Sequence, residues 1–521
     1  MVRTRAQAAK EKVIVFLQTA HHARRKKLCV LELLTAHPEL CVHLHDSTLD
    51  LAMCENLTAL PDSLGQLTTL TALNLRGCCG LTELPESLGQ LSALITLDIS
   101  VCALLATLPG SLGQLSALET LRLEACHNLS KLPESLGQLS TLKTLDLGYC
   151  DALTGLPESL GQLRSLRTID LTYCYALTGL PDSVGQLCAL RTLDLSYCRA
   201  LTGLPDSVGQ LTALTALRLG WCHVLTGLPE SLGQMAALTM LNLCCCDALT
   251  GLPASLSRLV LLTELNLSGC TALARLPDFL GVALNSLDLG QCSALTTLGG
   301  FLNQLTALVT LDMSECRALT ELPESVVGLV MLKTLVLDSC RALRGLPVLL
   351  GQLTALTVLE LGGCSGLTEL PESVGDLSAL SELDLSGCSN LTRLPESLGR
   401  LAALKYLNLR WCSALTRLPE SLGQLELLKL IDITHNHNLT RLPLSCAYLR
   451  PDCLVRTSPC LVTMMFPPQP VAGKGMLAIK TFLLAHHHPL KMLFMIMAAR
   501  RRRMRRPPAE LWVLIRDEFF Y

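Results

Sequence analysis

The sequence predicts an α/β solenoid, a stack of short parallel strands joined by helical or 3-10 turns, over residues 46–449 of 521. Three observations carry this. Close variants of LTGLPDSVGQLCALRTLDLSYC, as written from Leu177 to Cys198, recur about every 24 residues from Asp46 to Pro443. Within one copy the apolar positions are Leu201, Leu204, Val208, Leu211, Leu214, Leu217, Leu219 and Cys222. The single step of two, Leu217 to Leu219, marks a strand whose alternate side chains face one way, while the steps of three and four suit a tight return. Finally, one copy cannot bury its own leucines, so consecutive copies must share a core.

The motif L-x-x-L-x-L-x-x-C followed by L-P-x-S-L-G-x-L, repeated about seventeen times, resembles the leucine-rich repeat. The form is that of plant disease-resistance receptors and Ras-group leucine-rich repeat proteins. The resemblance implies a horseshoe with a parallel β-sheet on its concave face, used to bind other proteins, in intracellular signalling or defence.

Taken in order, residues 1–45 form a basic N-terminal cap. Arg24, Arg25, Lys26 and Lys27 read as the solvated end of a capping helix, or as a nuclear address. Val13, Ile14, Phe16 and Leu17 would cover the first repeat, as a solenoid cap must. Lys12 to Phe16 also fits a loose docking motif for type-1 protein phosphatase, which gives a second reading as a phosphatase or small-GTPase regulator. Met1 to Lys27 lacks the clean apolar core of a secretory signal, so the expected compartment is the cytoplasm, with the nucleus as the alternative.

Of the 25 cysteines, sixteen occupy one repeat position, among them Cys54, Cys102, Cys198, Cys292 and Cys412, and Asn436 takes the seventeenth place. Cysteine there is expected as a small buried residue with a weak donor at the bend after the strand, a role asparagine can also fill. No paired Cys-x-x-Cys spacing suggests zinc; no metal and no cofactor are expected.

In the LPES and LPDS elements proline presets the turn. The acid (Asp62, Glu86, Glu134, Glu158, Asp182, Asp206, Glu230) is expected beside unpaired amides at the start of its own turn. The glutamines from Gln66 to Gln234 are expected on the convex side. Residues 271–305 break the pattern: Cys270 to Cys292 spans 22 residues, and Gly299 and Gly300 stand where Pro and an acid are usual. A local bend is expected there, with ten strands before it and seven after.

Residues 450–521 read as a partly disordered tail. The eight apolar residues Met492 to Ala499 are too few to span a bilayer. Arg500 to Arg506 is read as a solvated run rather than a nucleic-acid or anionic-membrane contact. His486 to His488 lacks further ligands at metal spacing. Pro508 to Phe520 distantly resembles the opening of an F-box helix, which would imply a ubiquitin-ligase substrate adaptor.

No phosphate-binding GxxxxGK[ST] loop, no strand-to-helix Gly-x-Ser-x-Gly elbow and no His-Glu-x-x-His occurs, so catalysis is not expected. Net charge is -2, which gives no global attraction to nucleic acid or membrane.

A protein partner is expected on the concave face. The candidate contacts are Tyr149, Tyr173, Tyr197 and Trp221, each one residue before its cysteine, together with Asp146, Asp170, Asp194 and Arg218 in the column four before it. Strand spacing of about 4.8 Å should turn the four aromatics into a ladder. Trp411, with Tyr406 nearby, repeats the theme. Glu315, Asp338 and Glu382 make the later half more acidic, which would suit a basic partner; the plain alternative is that aspartate merely suits the strand end.

Overall fold

Each repeat contributes one three-residue strand, and each strand hydrogen-bonds to the strand of the next repeat. The structure is a computed structural model, and it describes residues 47–277, 283–439, 442–450 and 452–457. Among the described residues there are eighteen strands, from β1 (Thr48–Asp50) to β18 (Leu454–Arg456), all parallel and paired in sequence order in one open sheet.

In the repeat around Tyr197 the strand is Thr192–Asp194. Leu193 and Leu195 are buried, while Thr192 and Asp194 lie on the opposite, concave face. The strand is short because Asp194 ends it: its Oδ1 accepts the Ser196 amide at 3.0 Å. This is the local Asx turn that short acidic and amide side chains favour. The chain then takes a left-handed residue, Tyr197 at φ 63°, before Cys198 turns inward.

On the return side, Pro181 (φ -68°) precedes the 3-10 turn Asp182–Gln186, and its carbonyl accepts the Val184 amide at 3.0 Å. Proline is suited to this place because its φ is preset and its missing N–H would be unpaired. Leu187 and Leu190 then lead back to the next strand, fully buried. Among the described residues the core is this leucine spine repeated, with no aromatic cluster inside it.

The sixteen-cysteine column is buried, and fifteen of its thiols, from Cys78 to Cys412, donate to a backbone carbonyl of the preceding repeat, as Cys198 does to Leu171 at 3.2 Å. Asn436 makes the same bond with its Nδ2, to Leu409 at 2.8 Å, and adds a second to Ile433 at 3.1 Å. All the described cysteines are free thiols. Burial pushes the Cys126 and Cys174 thiols up to about 12, which keeps them protonated donors.

Two expectations need correction. The acid of LPES does not serve its own turn: Glu86 accepts the amides of Gly110 (3.0 Å) and Ser111 (2.8 Å), one repeat further on. Glu134 and Glu230 reach forward in the same way. The geometry favours this because the next repeat presents its unpaired amides about one strand spacing away. The irregular stretch leaves the sheet intact: β10 (Glu264–Asn266) pairs with β11 (Ser286–Asp288) in register, and Cys292 bonds Leu267 across 25 residues instead of 27. Gly299 holds the backbone (φ -62°, ψ 162°) that proline holds elsewhere. Eight strands follow the irregularity, because Leu454–Arg456 adds one beyond the last recognisable repeat.

Candidate protein-binding surface

The column before the cysteines is left-handed along the whole solenoid. Glycine fills it at Gly77, Gly269, Gly363 and Gly387, but Met53 and the β-branched Val101 also hold it, so the bend imposes this backbone on whatever residue stands there. Its side chains project from the rim of the concave sheet. In four consecutive repeats they are aromatic, at Tyr149, Tyr173, Tyr197 and Trp221, with φ of 60–65°.

Their rings stack. Tyr149 to Tyr173 and Tyr173 to Tyr197 are both 4.2 Å between centroids and 10° from parallel; Tyr197 to Trp221 is 5.3 Å and 5°. The sheet sets this spacing, so the ladder is held rigid before any partner arrives. Inner ring faces are spent on one another, which leaves edges and polar tips outward; Tyr149 is 40% exposed and Trp221 38%. The Tyr149 and Tyr197 hydroxyls are held above their ordinary pKa, first by desolvation and then by hydrogen bonding with Tyr173.

Sequence reasoning missed the row that flanks this ladder. One residue past each cysteine lie Tyr175, Arg199 and His223. Tyr175 meets Tyr173 edge-on at 6.1 Å, and the Arg199 guanidinium sits 4.8 Å over the Tyr175 ring. His223 meets Trp221 edge-on at 5.7 Å and contacts Asp247 at 2.7 Å. Setting the residues after each cysteine side by side would have found this row.

The aspartate column has a structural duty. Asp146, Asp170 and Asp194 each hold the amide two residues on, at 3.2, 2.9 and 3.0 Å, and the second oxygen of Asp194 is 3.9 Å from Arg218. Asn74, Asn242 and Asn266 make the same turn, which explains why Asn alternates with Asp there. Burial raises the Asp146 carboxyl above its usual range, and Asp170 and Glu124 add to the rise against the Gly148 amide and Arg122.

Trp411 stacks on His435 at 3.9 Å and 6°. Tyr406, expected beside it, instead lies on the concave strand Tyr406–Asn408, in a shallow basin of about 260 Å³ with Glu360, Glu382, Asp384 and Arg410. Burial raises the Asp288, Asp338 and Glu360 carboxyls above their usual range, and neighbouring carboxylates add to the rise.

Among the described residues no group of His, Cys, Asp and Glu could hold a metal ion, and no helix is long and apolar enough to cross a membrane. Lys12 to Phe16, Arg24 to Lys27, His486 to His488, Arg500 to Arg506 and Pro508 to Phe520 lie outside the described residues.

Family comparisons agree with this geometry. The leucine-rich repeat region model matches residues 39–152 and 158–287, and the leucine-rich repeat model matches 379–401, together about half of the chain. The chain belongs to the leucine-rich repeat family, and its fold is that of a protein-interaction scaffold. No curated relative matches it. A leucine-rich repeat protein of Leptospira interrogans is 28% identical over 78% of this chain and 91% of that one, with a TM-score of 0.52. The leucine-rich repeat domain of the type III effector XopL is 26% identical over 51% of this chain and 84% of that one, at a TM-score of 0.40. A chain in the Toll–Spatzle complex of Drosophila shares the fold at 24% identity and a TM-score of 0.58, over 79% of this chain and 59% of that one.

Proposed function

We propose that this chain is a non-catalytic scaffold that binds a partner protein on its concave surface, in cytoplasmic signalling or defence. The observation that supports it is the stacked ladder of Tyr149, Tyr173, Tyr197 and Trp221, fixed by the sheet beside the Asp146, Asp170, Asp194 and Arg218 column. Rigid aromatics with polar tips bind at low entropic cost, because little side-chain freedom remains to be lost. Trp411 with His435 supplies a second, smaller anchor toward the acidic half, where a basic stretch of the same partner would be steered. The test is quantitative affinity capture with the full chain, wild type against Tyr149, Tyr173, Tyr197 and Trp221 all changed to Ala. Loss of a defined partner from the variant supports the reading; an unchanged set of partners overturns it.

A further inference from the structure

A second surface lies on the return side of the same repeats. Outside the repeats from Leu156 to Leu252 the leucine of the LP pair is buried: Leu84 after Glu83, Leu60 after Ala59 and Leu394 after Arg393 are each 6% exposed, and Leu346, after Gly345, is at 9%. From Leu156 to Leu252 the preceding residue is glycine, at Gly155, Gly179, Gly203, Gly227 and Gly251, with nothing within 4 Å of where a Cβ would stand. There the five leucines Leu156, Leu180, Leu204, Leu228 and Leu252 are only partly buried. They form an uncovered apolar lane five repeats long.

A second observation concerns the acids beside the lane. Glu134 and Glu230 spend their carboxylates on amides of the next repeat, but Glu158, Asp182 and Asp206 accept no hydrogen bond among the described residues. At Asp182 and Asp206 the side chain is one methylene shorter than the glutamates that make the reach; Glu158 has the length and still makes no such bond. Three exposed, uncompensated negative charges therefore border one side of the leucines.

We propose that this lane docks a basic amphipathic helix of a partner protein. Successive leucines repeat at about 5 Å, the strand spacing. A helix brings its apolar face round every ~5.4 Å, close to that repeat, whereas one face of an extended chain returns only every ~6.7 Å. Strand addition is also blocked, since lane backbone is already paired across repeats, as Thr202 to Thr178 at 3.3 Å. Five leucines span about 20 Å, or roughly thirteen helical residues. Lysine or arginine along one flank of that helix would meet Glu158, Asp182 and Asp206.

The experiment measures fluorescence anisotropy of the full chain with three labelled synthetic peptides. The first is a 14-residue helix with a leucine stripe and a Lys/Arg flank, the second carries Glu in place of every basic residue, and the third is proline-rich and non-helical. The basic helix should bind at least tenfold more tightly than either of the others and weaken as salt rises. In the Gly179→Arg/Gly203→Arg double variant its binding should fall at least tenfold; in Gly179→Glu/Gly203→Glu it should fall less, because the lane is covered but the charge is favourable. Both pairs copy residues this chain already carries in the same column, Arg393 and Glu369, and a thermal melt confirms that the variants fold. Equal binding by the acidic peptide, tighter binding by the proline-rich one, or no effect of the arginines overturns the proposal. So does a loss caused by the Tyr/Trp ladder variant instead, which separates this surface from the concave one.

Discussion

Asn436 donates to the carbonyl of Leu409 at 2.8 Å, and Cys412 donates to the carbonyl of Leu385 at 3.1 Å: two chemically different side chains make one bond at one place in the repeat. Each satisfies a carbonyl left over where the strand ends, inside a core that excludes water. Asn436 adds a bond to Ile433 that a thiol does not make here. Removing two amide donors should cost more than removing one thiol. Asn436→Ala is expected to lower stability by about 2–3 kcal/mol and Cys198→Ala by about 1–2 kcal/mol, read as urea midpoints.

The thiol column should also be chemically silent. Cys126 and Cys174 are buried and held up to about 12, so they carry almost no thiolate at pH 8. Peptide mapping after brief alkylation of the folded chain should find Cys188 modified first among the described residues, then the half-buried Cys79, Cys244 and Cys245. The buried column should stay unmodified until the protein unfolds.

Two glycines six residues apart should behave in opposite ways. A Cβ on Gly161 would stand 2.5 Å from the Ser183 carbonyl oxygen of the next repeat, a backbone atom that cannot move aside cheaply; on Gly155 it would meet nothing within 4 Å. Gly161→Ala is expected to destabilise by about 1–3 kcal/mol through overpacking. Gly155→Ala should be neutral or slightly stabilising, since it narrows only the unfolded ensemble. Thermal melts of the two variants check this.

The forward-reaching glutamates give stability a pH dependence. Amide bonds from Ser111 and Gly110 hold the Glu86 carboxyl below its ordinary range. A carboxyl lowered by folding contributes stability above its unfolded pKa and loses that contribution as pH falls through the folded one. Glu86→Ala should therefore melt below wild type at pH 7, and the gap should close as pH falls past the ordinary carboxylate range and through the lowered folded value, where the wild-type carboxyl is protonated too.

Much of the fold was legible because it repeats. The 24-residue period placed every strand from Thr48 to Asp432, and the change from spacings of three and four to two located each one. The cysteine column was legible for the same reason, down to the exchange with Asn436. What escaped notice was contact between repeats. Glu86 lies beside its own turn in sequence, yet its amide partners are 24 and 25 residues ahead. Leu454–Arg456 escaped because Val455-Arg456-Thr457 stands where other repeats carry Leu-x-Leu, and no LP element follows it. At the surface, the tyrosine ladder stood out as a run of one residue type in one column. Tyr175, Arg199 and His223 did not, since they differ from one another and come together only when adjacent repeats stack.

The inner rim can be tested directly by site-specific photocrosslinking of the full chain with its captured partner, placing the crosslinker at Tyr175, beside the ladder, and separately at Gln186, on the 3-10 side. Recognition on the rim predicts a covalent partner adduct from position 175 and none from position 186. An adduct from position 186 with none from position 175 would contradict it.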